Sequence, residues 1–113
     1  MGDNILSQCL GKAANLLSLV DYSADAVVSK TLLDKQTGTI TLFSFDAGQG
    51  LSTHSAPYDA TVYVLDGKVE ITISGKSSVV LAGEFIVMPA NEPHSLKAVE
   101  KFKMLLIMIR DKK

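Results

Sequence analysis

Cysteine is almost missing from this chain of 113 residues: Cys9 stands alone. One thiol forms no intrachain disulfide and builds no thiolate zinc site, a pattern that suits a reducing compartment. An excess of charge of either sign is lacking too. Eleven basic residues face twelve acidic ones, leaving a net charge of −1 with no block of either sign. Nucleic-acid binding needs a basic field to displace counterions from phosphates, so no nucleic-acid partner is expected. Charged residues reach only 20% and hydrophobic ones 47%, which excludes a disordered chain and supplies a continuous core. No apolar stretch approaches the ~20 residues of a membrane helix. Residues 1–5 carry neither the basic region nor the apolar run of a secretory signal. Leu6 stands where a myristoylation signal wants Ser or Thr, so Gly2 is not expected to carry a lipid. The expectation is a cytoplasmic protein of one domain with no membrane partner.

What is present divides into two periods. From residue 3 to about 20, Leu6, Cys9, Leu10, Ala13, Leu16, Leu17 and Val20 recur at spacings of three and four. That spacing predicts an amphipathic helix, capped by Asp3 or Asn4 and weakened at Gly11 by roughly 1 kcal/mol against Ala. Its polar face is not strongly basic, so it reads as a lid packed on a barrel end rather than a membrane-surface helix. From about residue 26 the period falls to two. Runs at 27–33, 39–45, 61–65, 69–73, 78–81, 84–88, 94–99 and 102–109 alternate with turn signals, and about nine short strands are expected. Asp66-Gly67 predicts a tight hairpin between two of them. The division expected is a helical extension over 1–25 and a β domain over 26–113. The last run, Met104 to Ile109, is apolar on both faces, unlike a half-exposed strand. A homodimer is the preferred cover for its second face, with the N-terminal helix as the competitor.

Two segments carry spacing of a more specific kind. Gly48, His54 and Gly67 fall on one pattern, and Gly83, Pro89 and His94 on a second. Together they resemble the two signature motifs of the cupin superfamily: glycine, five residues, His-x-His, three or four residues, Glu, six residues, glycine; then glycine, five residues, Pro-x-Gly, two residues, His, three residues, Asn. The resemblance covers about residues 35 to 110. It implies an all-β double-stranded β-helix, or jelly-roll barrel, with the short N-terminal helix beside it. Asn91 stands where the family has glycine, a mild change because Asn tolerates positive φ.

The departures bear on function. Metal-binding cupins use both histidines and the Glu of the first motif with the His of the second. Here the second His position is Ala56, the Glu position is Ala60 or Thr61, and the final Asn falls on Ala98. Two of the four implied ligands remain, His54 and His94. A divalent transition metal would need another donor, with Asp59 the nearest carboxylate if a bulge re-aims it. Gln49, Tyr58 and Glu92 are further candidates.

Three readings follow. The preferred one is a small-molecule-binding cupin that takes a small organic ligand such as a sugar derivative or small acid. His54 and His94 would be its polar contacts, and an acid–base pair if it is an isomerase or epimerase. Gln49, Tyr58, Ala56 and Ala60 would complete the binding pocket. The second reading is a metal-dependent enzyme using His54 and His94 with Asp59, Gln49 or water. The third is a sensor or assembly subunit without chemistry. Whether the chain is an enzyme is left open by the residues alone. Met88, Met104 and Met108 read as core filler.

Overall fold

The alternation of side chains along these runs decides which surface each strand buries. Val62 and Val64 are fully buried while Tyr63 between them is exposed, and Val69 and Ile71 are buried on either side of the half-exposed Glu70. Each strand therefore turns one face to a shared interior. The computed structural model describes residues 4–110; Gly2 and the candidate cap Asp3 lie outside the described residues.

Among the described residues there are ten strands and one short helix, α1 (Leu16–Leu19). The strands are β1 (Asn4–Ile5), β2 (Val27–Lys35), β3 (Gly38–Phe45), β4 (Gly50–His54), β5 (Asp59–Asp66), β6 (Lys68–Ile73), β7 (Lys76–Leu81), β8 (Phe85–Met88), β9 (His94–Ala98) and β10 (Phe102–Ile109). They form two antiparallel sheets, one ordered β1-β2-β3-β10-β5-β8 and the other β4-β9-β6-β7. This is the jelly-roll arrangement. The sheets meet over a core that includes Phe45, Val62, Val64, Ile71, Leu96 and Phe102. The Phe45 and Phe102 rings stack with centroids 4.5 Å apart. Among the described residues no helix is long and apolar enough to cross a membrane.

Two expectations are corrected. The helix over 3–20 shrinks to α1, because residues 4–5 pair with Leu33 and Asp34 as an edge strand and Gly11 adopts φ +65. Asn15, not Asp3 or Asn4, caps what helix there is, its Oδ1 accepting from the Leu17 N–H at 3.0 Å. The apolar spacing still serves burial: Leu6, Cys9, Leu16, Leu19 and Val20 pack with Leu32, Leu42, Leu65 and Leu105 on the outer face of the larger sheet. Lys103 Nζ donates to the Leu17 carbonyl at 2.5 Å, and the Tyr22 hydroxyl donates to Asp66 Oδ2 at 2.6 Å, fastening this segment down. The second correction concerns Asp66-Gly67. The strands it joins, β5 and β6, belong to different sheets and do not pair. The turn carries the chain across the interior, and the hairpin lies one turn later, at Ser74-Gly75 between β6 and β7. Both of those residues have positive φ, as a type I′ turn requires.

The N-terminal segment thus covers the Leu105 end of the apolar outer face. Further along, Tyr63, Phe85, Val87 and Ile109 remain exposed, Phe85 and Ile109 by 64% and 63%.

Candidate functional site

The smaller sheet brings both histidines of the chain to one cross-strand position: His54 on β4 pairs directly with His94 on β9. Strict alternation would not do this. Leu51 pairs with Leu96, and only one β9 residue separates Leu96 from His94, whereas Ser52 and Thr53 separate Leu51 from His54. The extra residue is a β-bulge, and it turns His54 to the face that Leu51 already occupies. Asn91, in the loop that leads into β9, has φ +68, so the family's glycine position is filled as the sequence suggested.

His94 is 5% exposed, whereas His54 sits exposed at the cavity mouth on the edge strand. The rings meet edge to face at 72°, with Nε2 to Nε2 at 3.2 Å. Their other nitrogens are tied to the backbone: His54 Nδ1 lies 2.8 Å from the Ser52 carbonyl and His94 Nδ1 lies 3.2 Å from the Glu92 carbonyl. A carbonyl oxygen only accepts, so each Nδ1 carries the proton. In the neutral state both Nε2 atoms are then bare bases, aimed at each other. Burial, and then the neighbouring His54 ring, hold the His94 imidazole below its ordinary range, with the Glu92 carbonyl pulling the other way.

The rings lie against a cavity of about 40 Å³ whose wall also includes Ala56, Ala60, Leu51 and Leu96, with Met88, Met104, Leu106 and Met108 from the larger sheet. Of the residues singled out in the sequence, His54, His94, Ala56 and Ala60 are brought together here. Asp59 is not: its Oδ1 accepts from the Ala90 N–H at 2.9 Å, outside the cavity. No bulge re-aims it. Tyr58 lies under the Arg110 guanidinium, 5.5 Å from it, and Glu92 accepts from the Ser74 hydroxyl. Neither Tyr58 nor Gln49 lines the cavity. The methionine walls were read only as filler, because a buried apolar residue carries no sequence sign that its neighbour is small.

The donors do not fit the four-ligand divalent site that the resemblance implies. Among the described residues no three His, Cys, Asp or Glu side chains gather where a metal could be held. The cavity has room for about three waters. A whole sugar ring exceeds it; a single functional group or ion does not.

Comparison with known proteins agrees with this architecture. The profile described as Cupin domain matches residues 41–110. A conserved protein of unknown function from Streptococcus pyogenes is 41% identical over 97% of this chain and 95% of its own, with a TM-score of 0.89. A cupin 2 conserved barrel domain protein from Leptotrichia buccalis is 43% identical over 86% of this chain, which spans 47% of that longer one, at a TM-score of 0.84. A cupin superfamily protein from Desulfitobacterium hafniense is 27% identical, covering 88% of this chain and 92% of its own, also at 0.84. No curated protein matches the chain.

Proposed function

This chain belongs to the cupin family, and on that premise we propose that it is a binding cupin that holds a small ligand through the facing Nε2 atoms of His54 and His94. One observation carries the reading: both Nδ1 atoms lie against backbone carbonyls, so both Nε2 atoms converge on the same space. A guest that brings a proton or another electron-poor centre relieves their mutual repulsion. Apolar walls with a few convergent polar atoms are the common form of a ligand site. The 3.2 Å separation weighs against a two-base epimerisation, which needs bases on opposite faces of one carbon. It suits capture of a carboxylic acid or hydroxyl group by the pair. A reducing cytoplasm suits the lone thiol of Cys9.

The test is thermal stability in the presence of small organic acids and alcohols. A guest at 100 times its Kd adds about 2.7 kcal/mol to stability, a rise in midpoint of roughly 10 °C for a domain of this size. We expect such a rise in the wild-type protein and its loss in His54→Ala, a variant at an exposed edge position that keeps the fold. A panel that leaves the wild type unmoved, or a rise that persists in His54→Ala, refutes the reading.

For a macromolecular partner we infer a second copy of this chain. Tyr63, Phe85, Val87 and Ile109 form an exposed apolar face across β5, β8 and β10, and none of the four offers charge for a differently charged partner to read. A self-complementary two-fold contact is the simplest cover. Sedimentation of the wild type at twice the mass of one chain, and of Phe85→Lys as single chains, is expected. A wild type that sediments as single chains refutes the inference.

A further inference from the structure

The lateral edge of a sheet presents backbone groups with no strand beside them, and it invites a further strand unless something guards it. The two sheets of this fold end on β1 and β8, and on β4 and β7. Three of these four edges are guarded. β1 is two residues long, and the stretch of β2 beyond it carries Lys30. β4 is interrupted by the bulge between Leu51 and His54. On β7, Glu84 closes off Leu81: the Leu81 N–H donates to Glu84 Oε1 at 2.9 Å, and the Leu81 carbonyl accepts from the Glu84 N–H at 2.9 Å. β8 differs, because its four residues, Phe85-Ile86-Val87-Met88, are apolar throughout.

The register on β5 decides which groups of β8 face outward. The Val64 N–H donates to the Glu84 carbonyl at 2.9 Å. From there the pairing runs Tyr63↔Phe85, Val62↔Ile86, Thr61↔Val87 and Ala60↔Met88. Bonded and non-bonded pairs alternate along an antiparallel ladder, so Ile86 and Met88 direct their N–H and C=O groups to β5. Those of Phe85 and Val87 point the other way. Among the described residues no protein partner meets them. The next outward position is Pro89, which has no N–H to offer. The open run is therefore two residues long, centred on Ile86.

That pattern is complementary to itself. Two copies of β8 related by a two-fold axis at Ile86 set Phe85 of each against Val87 of the other. Each such pair exchanges two N–H···O=C bonds, which makes four across the axis. Ile86 then faces its own copy in the non-bonded pair, where side chains approach more closely. It packs against the core yet stays half-exposed, and a facing Ile86 would close that gap. Phe85 and Val87, both exposed on the outer face, would become cross-strand neighbours of their counterparts. A foreign strand would have to be apolar and uncharged to fit; a second copy brings such a strand and satisfies both open edges in one contact.

We propose that two copies of this chain join edge to edge through β8, merging their larger sheets into one continuous antiparallel sheet. The proposal rests on the reading of a second copy as the partner, and it assigns the contact to backbone groups rather than to packing of sheet faces.

The test separates the amide of Val87 from its side chain. Val87→Pro removes the outward N–H at a position where an edge strand tolerates proline. Val87→Thr keeps the N–H and the side-chain shape but is less apolar. In sedimentation equilibrium, at a concentration where the wild type pairs, Val87→Pro is expected to run as single chains and Val87→Thr as pairs. Circular dichroism checks that both variants fold. Hydrogen exchange of the wild type gives an answer that needs no variant. The Phe85 and Val87 amides are expected to slow as concentration rises through the dissociation range, while the Ile86 amide is slow throughout. A folded Val87→Pro that still pairs, a Val87→Thr that does not, or Phe85 and Val87 amides that exchange equally fast in pair and single chain overturns the edge contact. A dimer packed through its apolar faces then stands. A wild type that sediments as single chains overturns both readings.

Discussion

Replacing Gly67 by Ala is expected to leave little folded protein at 37 °C, whereas the same change at Gly75 costs only a modest fraction of stability. Both glycines have φ +81, a conformation that costs an L residue roughly 1–2 kcal/mol. The positions differ in what surrounds them. A Cβ at Gly75 meets nothing, while one at Gly67 would press into the Lys101 carbonyl and lie 2.8 Å from both Cα and Cβ of Phe102. Phe102 cannot withdraw, because its ring is fully buried and stacked on Phe45. Backbone strain and overpacking add to more than about 4 kcal/mol, against a total of about 5–15 kcal/mol for a domain. Urea unfolding of the two variants checks this. Equal midpoints for Gly67→Ala and Gly75→Ala would show that the Phe102 contact carries no weight.

Deleting Ser52 and Thr53 together is expected to abolish binding by the histidine pair while the fold survives. Leu51 and His54 are three steps apart on β4 against two on β9, and the bulge absorbs the odd step so that both face the cavity. With both residues gone His54 follows Leu51 directly, and regular pairing sends its ring to the opposite face, because successive side chains alternate. β4 is an edge strand with mostly exposed residues and pairs only with β9, so the core does not depend on its register. The midpoint rise with a bound guest should vanish in the deletion variant as fully as in His54→Ala. Unimpaired binding would mean that the ring reaches the cavity without the bulge.

Much of the architecture was legible because it rests on local rules. Period-two runs marked the strands, and turn signals marked the breaks between them. Asn91 was recognised as able to stand in for glycine, and its φ of +68 bears that out. Asp66-Gly67 misled because a turn signal reports a reversal of the chain, not which sheet receives the next strand. The helical spacing before residue 20 misled for a related reason. An apolar face at three-and-four spacing can be buried by an irregular segment once the outer surface of a sheet offers Leu32, Leu42 and Leu105. The site was half legible. His54, His94, Ala56 and Ala60 were placed by motif spacing, and all four line the cavity. The methionine row was not, because register between distant strands decides that Met88 and Met108 flank Ala60, and register is a tertiary property.

The two imidazoles belong to parts of the molecule that come apart at different rates. His94 is on β9, hydrogen-bonded on both sides, by β4 and β6, while His54 ends a strand bonded on one side only. Fraying of β4 separates the nitrogens without disturbing the Phe45–Phe102 stack, since opening free energies run from near zero at edges to the global value in the core. For a guest held by both rings, as proposed, residence time is then expected to follow the lifetime of a single strand pairing, with release far faster than unfolding.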